Sequence, residues 1–178
     1  CIVTFEQSDL DGVIVRVRDD FLLYGRGTAW VRSNGQSVEY DYVNFRDFAH
    51  GHARIWREVP WVARRVWMTR DAGRERFGDA FASVELKKQD TESQNENAVP
   101  LAPVWEIWCR ESSSVYWIAE GSDETLDESE PLFELRGFFP CPHPAFGTVD
   151  PETMIPIPEF VQYKDQVEEI NEYTQRIA

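Results

Sequence analysis

Near its end the chain carries its clearest hydrophobic rhythm. Phe160, Tyr163, Val167, Ile170, Thr174 and Ile177 recur at alternating spacings of three and four, an a/d seam, while Lys164, Asp165, Glu168, Glu169 and Glu172 fill the positions between. This predicts a helix from about residue 159. It either packs on its own domain or runs on past residue 178 to meet neighbouring subunits. The stretch before it is proline-stiffened: Pro140, Pro142, Pro144, Pro156 and Pro158 fix φ and remove donors, so no helix interior or central strand passes through them. Such a segment lies along a surface as a strut.

The rest of the chain alternates between the two periods. Leu10, Ile14, Val17, Phe21 and Tyr24 fall on one helical face, with Ser8 or Asp9 able to cap it and Gly25 able to stop it. The β-branched run Val13-Ile14-Val15 leaves a strand open as the alternative. Thr28–Arg32 and Val38–Val43 read as strands joined through Asn34-Gly35, a hairpin turn signal. Residues 45–56 look irregular, with one helical turn. A third strand is expected over Val59–Met68, with Pro60 near its start, and then a short helix from Arg70 to Phe77 between the Thr69 cap and Gly78. From Lys87 to Pro100 the composition turns polar and reads as a loop. Val104–Arg110 and Ser114–Glu120 form a second hairpin, with Trp105, Ile107 and Cys109 sharing a face, as do Val115, Trp117 and Ala119. Glu120, Asp123, Glu124, Asp127, Glu128 and Glu130 then crowd what reads as a solvated loop, without the residue order of a calcium loop. The fold class expected is α+β, with antiparallel hairpins between an N-terminal helix and a long C-terminal one. Residues 1–158 make the expected domain, and residues 159–178 the start of the helix.

Composition narrows the function classes. The chain has 178 residues, and its 7 Trp, 11 Phe and 6 Tyr suffice to fill a core. A net charge of −14 argues against a basic surface gripping phosphates, though not against a wall past which DNA slides. Three cysteines, Cys1, Cys109 and Cys141, lack the spacing of a disulfide framework, which suits a reducing compartment. No run of about 18 apolar residues marks a membrane span.

Candidate chemistry is sparse. Gly25-Arg26-Gly27 lacks the further glycine and the Lys-Ser/Thr of a phosphate loop. His50, His52, Cys141 and His143 are too closely paired for a zinc knuckle. Cys109, on a Trp-lined strand face, reads as a core residue rather than a nucleophile. No catalytic, metal or cofactor site is therefore expected.

Several ordered segments resemble one family, the portal (head-to-tail connector) proteins of short-tailed bacteriophages and related prophages. The first runs Arg18-Asp19-Asp20-Phe21-Leu22-Leu23-Tyr24-Gly25-Arg26-Gly27-Thr28-Ala29-Trp30-Val31. The second comprises Val43-Asn44-Phe45-Arg46-Asp47-Phe48 and then Ala53-Arg54-Ile55-Trp56-Arg57-Glu58-Val59-Pro60-Trp61-Val62-Ala63-Arg64-Arg65. The third joins Val104–Trp108 and Val115–Ile118 to Gly137-Phe138-Phe139-Pro140-Cys141-Pro142, and continues through Ile155-Pro156-Ile157-Pro158 into the helix. Tyr24 stands where the family has Pro, and Asn44-Phe45 replaces a Trp-containing version. The resemblance implies an internal, wing-region piece of a structural, non-catalytic subunit. Such subunits form a dodecameric ring at one capsid vertex of the virion. They assemble in the host cytoplasm with scaffold and capsid proteins, dock terminase, pass double-stranded DNA and hold the tail. Gly25, Arg26, Gly27, Trp30, Asp47, Phe48, Trp56, Trp61, Phe138, Phe139, Pro140 and Pro142 carry the family pattern. Phe160, Tyr163, Val167, Ile170 and Ile177 are the candidate subunit-contact residues, and no DNA-binding residue is singled out. An acidic protein- or carbohydrate-binding module using exposed tryptophans, and a carboxylate-metal hydrolase, are the alternatives.

Overall fold

The computed structural model describes residues 9–33, 37–87, 99–132 and 135–177, with the side chain of residue 177 excepted. The protein is α+β, and its sheets are antiparallel throughout. The chain forms two compact units and crosses between them four times.

The first unit is drawn from Cys1–Arg46, His52–Glu58 and Pro140–Ala178. It begins with helix α1 (Leu10–Tyr24), which Gly25 ends in the left-handed conformation, φ 78°, donating its N–H to Phe21 O at 2.9 Å. The expected start differs. Ser8 lies outside the described residues, and Asp9 sits at the cap with left-handed φ 48° and no side-chain cap bond. Strands β1 (Arg26–Ser33) and β2 (Val38–Val43) pair from Thr28↔Val43 to Ser33↔Val38. Asn34-Gly35, the expected turn between them, lies outside the described residues. A two-residue strand, β8 (Ala145–Phe146), joins the other edge of β1. The core holds Trp30, Val43, Ala53, Cys141 and Met154. The proline-rich strut lies along β1, where Pro140 O accepts from Val31 N–H at 2.9 Å. The unit ends in α3 (Glu159–Ile177).

The inward face of α1 departs from expectation. Val13 is buried, with Leu10, Val17 and Phe21 half-buried, while Ile14 is 53% exposed and Tyr24 also faces outward. The cause is Asp20, which is buried on the inner side by its hydrogen bonds and turns the helix about its axis.

The second unit comprises Asp47–Gly51 and Val59–Phe139. Its sheet is a meander in the order β3 (Phe48–His50), β4 (Trp61–Met68), β5 (Ala102–Cys109), β6 (Ser114–Ala119), β7 (Thr125–Ser129). Helix α2 (Arg70–Phe77) has the expected bounds: Thr69 Oγ1 accepts from Ala72 N–H at 3.3 Å, and Gly78 follows. A 3-10 turn (Gly78–Phe81) then drives Phe81 into a core with Val84, Ala102, Val104 and Ala119.

Three local expectations need correction. Residues 45–56, read as irregular, contain strand β3, and the acidic stretch read as a loop contains the edge strand β7. There Leu126 packs against the core and Asp127 accepts from Arg76, so alternation rather than charge content decides. Within β5, Trp105, Ile107 and Cys109 do share a face, but Val104 and Glu106 face the core. Cys109 is only half-buried, and the buried thiol is Cys141.

Candidate functional site

Most of the residues singled out in the sequence take structural positions. In the first unit Asp20 organises one node. Its Oδ2 accepts from the Tyr42 hydroxyl at 2.7 Å and from Phe45 N–H at 2.8 Å. Arg26 lies buried beside it and donates to Phe45 O at 2.8 Å, its guanidinium 4.7 Å from the Phe45 ring. Burial lowers the Arg26 pKa to about 10 against the opposing pull of Asp20. Burial, followed by the bond to Asp20, holds the Tyr42 phenol well above its usual range. Tyr24 stacks on Phe45 at 4.8 Å.

Gly25 makes the turn and Gly27 the close approach: a Cβ on Gly27 would stand 2.1 Å from Val17 O. Trp30 fills the core at 1% exposure. Trp56 packs edge-on against His143 at 5.4 Å and near Phe146 at 6.2 Å. Pro142 is exposed beside the buried Cys141.

In the second unit Asp47 accepts from Arg65 Nε at 2.7 Å, and Phe48 is core. Phe138, at φ 74°, meets Trp108 edge-on at 5.8 Å, and Phe139 lies 4.5 Å from the Arg110 guanidinium. Trp61 stands on the sheet face opposite the core, which it shares with Arg65, Trp67, Trp105, Ile107, Tyr116 and Ile118. Arg65 lies 5.0 Å from the Trp67 ring and 5.5 Å from that of Trp105. Of the seven tryptophans only Trp30 is fully buried, and the other six are half-buried.

Among the described residues no group of three or more His, Cys, Asp or Glu side chains is placed so that it could hold a metal ion. His50 Nδ1 bonds Gly51 O at 2.9 Å, and His143 Nδ1 bonds Pro144 O at 2.8 Å, each a local contact. A cleft of about 630 Å³ lies between residues 79–87 and 119–126, with Asp79, Glu85, Glu120 and Glu124 set against Lys87. No helix among the described residues is long and apolar enough to cross a membrane.

The surface that stands out is α3. Phe160, Tyr163, Val167 and Ile170 are all exposed along it, Phe160 at 53% and Ile170 at 63%, and Tyr173 beside them is exposed too. The side chain of Ile177 lies outside the described residues. Most helical stability in proteins comes from packing an amphipathic face, and this apolar stripe stands exposed among the described residues. Internal contacts hold the helix meanwhile: Lys164–Glu168 and Glu172–Arg176 ion pairs, and the Tyr173 hydroxyl on Glu169 at 3.2 Å. No protein-family model matches the chain, and neither does any curated protein.

Proposed function

We propose that this chain is part of a phage portal subunit, a structural protein. It works as one of a ring of copies that double-stranded DNA passes through during packaging and ejection, with terminase, scaffold, capsid and tail proteins as its partners. The observation that carries the reading is the exposed apolar seam of α3. It is a surface built for another protein chain, lying directly after the motif series that resembles the portal family. The pins formed by Asp20, Arg26, Gly27 and Asp47 support it further, because they give the family-like residues a shared structural purpose. A charge of −14 suits a wall along which DNA must not adhere.

The test is the native mass of the intact natural protein, by light scattering behind size exclusion, with negative-stain images of the same peak. A closed ring of a dozen or so subunits around a central hole is expected. A clean monomer or dimer at high concentration overturns the reading.

One observation favours a second reading, a module that binds peptide or carbohydrate on the aromatic sheet face. Trp61, Trp67 and Trp105 share that face with Arg65 and are each only half-buried. Quenching of tryptophan fluorescence by a peptide or oligosaccharide panel, lost in Trp105→Ala, would bring this reading forward.

A further inference from the structure

The cleft of the second unit has two hydrogen-bonded walls and an apolar floor. One wall is the turn after α2, where Ala82 N–H donates to Asp79 O at 3.0 Å and Arg70 Nη1 donates to both Phe81 O and Ala82 O at 3.1 Å. The other is the β6–β7 turn, where Ser122 N–H donates to Ala119 O at 3.0 Å and Glu124 N–H to Ser122 Oγ at 3.1 Å. Val84 and Ala119, both buried, line the cleft together with Leu126, which packs on the same core. A bulge aims Leu126 there. The β6–β7 register jumps from Trp117↔Asp127 to Ile118↔Thr125 and leaves Leu126 as the extra residue. At about 630 Å³ the cleft has the size of a small-molecule site.

Its carboxylates are divided between the walls. Asp79 and Glu85 belong to the first, Glu120 and Glu124 to the second. Lys87 reaches from the first wall to Glu120, Nζ to Oε1 at 3.6 Å, and Arg65 Nη1 also donates to Glu120 at 3.3 Å. Among the described residues Asp79, Glu85 and Glu124 have no such cation, so charge is left on both sides of the apolar floor.

That division selects a ligand class. Anions are repelled. A hard metal ion needs several oxygens converging on one point, and no such group forms among the described residues. A single lysine side chain of another protein supplies one ammonium and matches one wall. A ligand charged at both ends, with methylenes between, matches both walls and the floor together.

We propose that the cleft binds a free aliphatic polyamine, one ammonium against Asp79 and Glu85 and another against Glu124, its methylene chain over Val84, Ala119 and Leu126. The Lys87–Glu120 contact is the same alkylammonium-carboxylate chemistry, already made across the cleft by the chain itself. The site is separate from any contact between copies, and it binds in a monomer as well as in a ring.

Titration calorimetry on the intact protein at physiological salt, with putrescine and spermidine as probes, tests it. Saturable binding at one site per chain is expected, with butylamine, charged at one end only, roughly tenfold weaker. Glu85→Gln and Glu124→Gln, one on each wall, should each weaken spermidine binding by about five- to tenfold. Glu128→Gln, on β7 outside the cleft, should leave it unchanged. All three residues are exposed, so the variants keep the fold, which equal thermal midpoints without ligand verify. Heats that never saturate overturn the inference. So does spermidine binding that butylamine or magnesium chloride matches, or that Glu128→Gln weakens as much as the cleft variants do, because each marks general attraction to an acidic surface. A monomer that binds spermidine in this way leaves the inference standing and overturns the portal reading, and a ring that does not bind it does the reverse.

Discussion

Arg64 and Glu106 stand directly opposite each other on β4 and β5, and Arg64 Nε donates to Glu106 Oε2 at 2.6 Å with both side chains about nine-tenths buried. The Trp108 indole N–H donates to the other carboxylate oxygen at 2.9 Å. A buried pair of this kind stabilises little relative to apolar residues of the same size, but removing one member strands a charge.

Arg64→Met is therefore expected to cost about 3–5 kcal/mol in urea unfolding. Arg64→Met with Glu106→Leu should recover most of that loss, falling short by about 1 kcal/mol because the half-buried Trp108 keeps an unpaired N–H. A double variant as unstable as the single one would mean that the pair itself, and not the stranded carboxylate, carries the energy.

The Gly25-Arg26-Gly27 segment gives a second prediction. A methyl group on Gly27 would meet a backbone oxygen, Val17 O, which cannot rotate away as a side chain would. Either α1 moves off β1 or the strand bends. Gly27→Ala should lower stability by about 1–3 kcal/mol, read as a drop in the thermal midpoint. An unchanged midpoint would show that α1 is not held against β1 at this point.

The thiols should separate by reactivity. Burial pushes the Cys141 thiol up to about 12. Cys109 is half-buried, and hydrogen bonding with Ser112 lowers its pKa. Iodoacetamide at pH 8, followed by peptide mass spectrometry, should mark Cys109 early and Cys141 only on unfolding. The sign for stability follows from linkage. A thiol raised in the folded state contributes fully below its unfolded pKa of about 9, and that contribution is lost as pH climbs from there towards 12. The stability advantage of the parent over Cys141→Ser should shrink across that window. A constant difference would mean that Cys141 is not held as a buried thiol.

What the sequence concealed has one physical cause at three places. Strand alternation and turn residues made both hairpins, the Thr69-capped helix and the Gly25 stop legible, because these depend on local backbone preferences. The inward faces of α1 and β5 were not legible. Each carries a buried charge, Asp20 on α1 and Glu106 on β5, whose partners Tyr42, Phe45 and Arg64 are remote in sequence. A charge reads as outward unless its partner is known, so Ile14 and the Trp105, Ile107, Cys109 set appeared to be the inner side. Strand β7 was hidden in the same way, since acids at an edge strand look like a loop. The helix seam was legible as a pattern, but periodicity alone did not say whether it packs on its own chain.

That last distinction is open to measurement. Ile170 is 63% exposed, so Ile170→Glu removes almost nothing from the folded chain and should alter its unfolding free energy by no more than about 0.5 kcal/mol. In an assembly the same change buries a carboxylate in an apolar layer, and association should be lost. The two readouts are the thermal midpoint at low concentration and the native mass at high concentration. An unchanged midpoint with a collapsed mass assigns the seam to contacts between copies. If the midpoint falls by many degrees while the mass is retained, Ile170 packs on its own chain, and the proposed subunit contact must lie elsewhere.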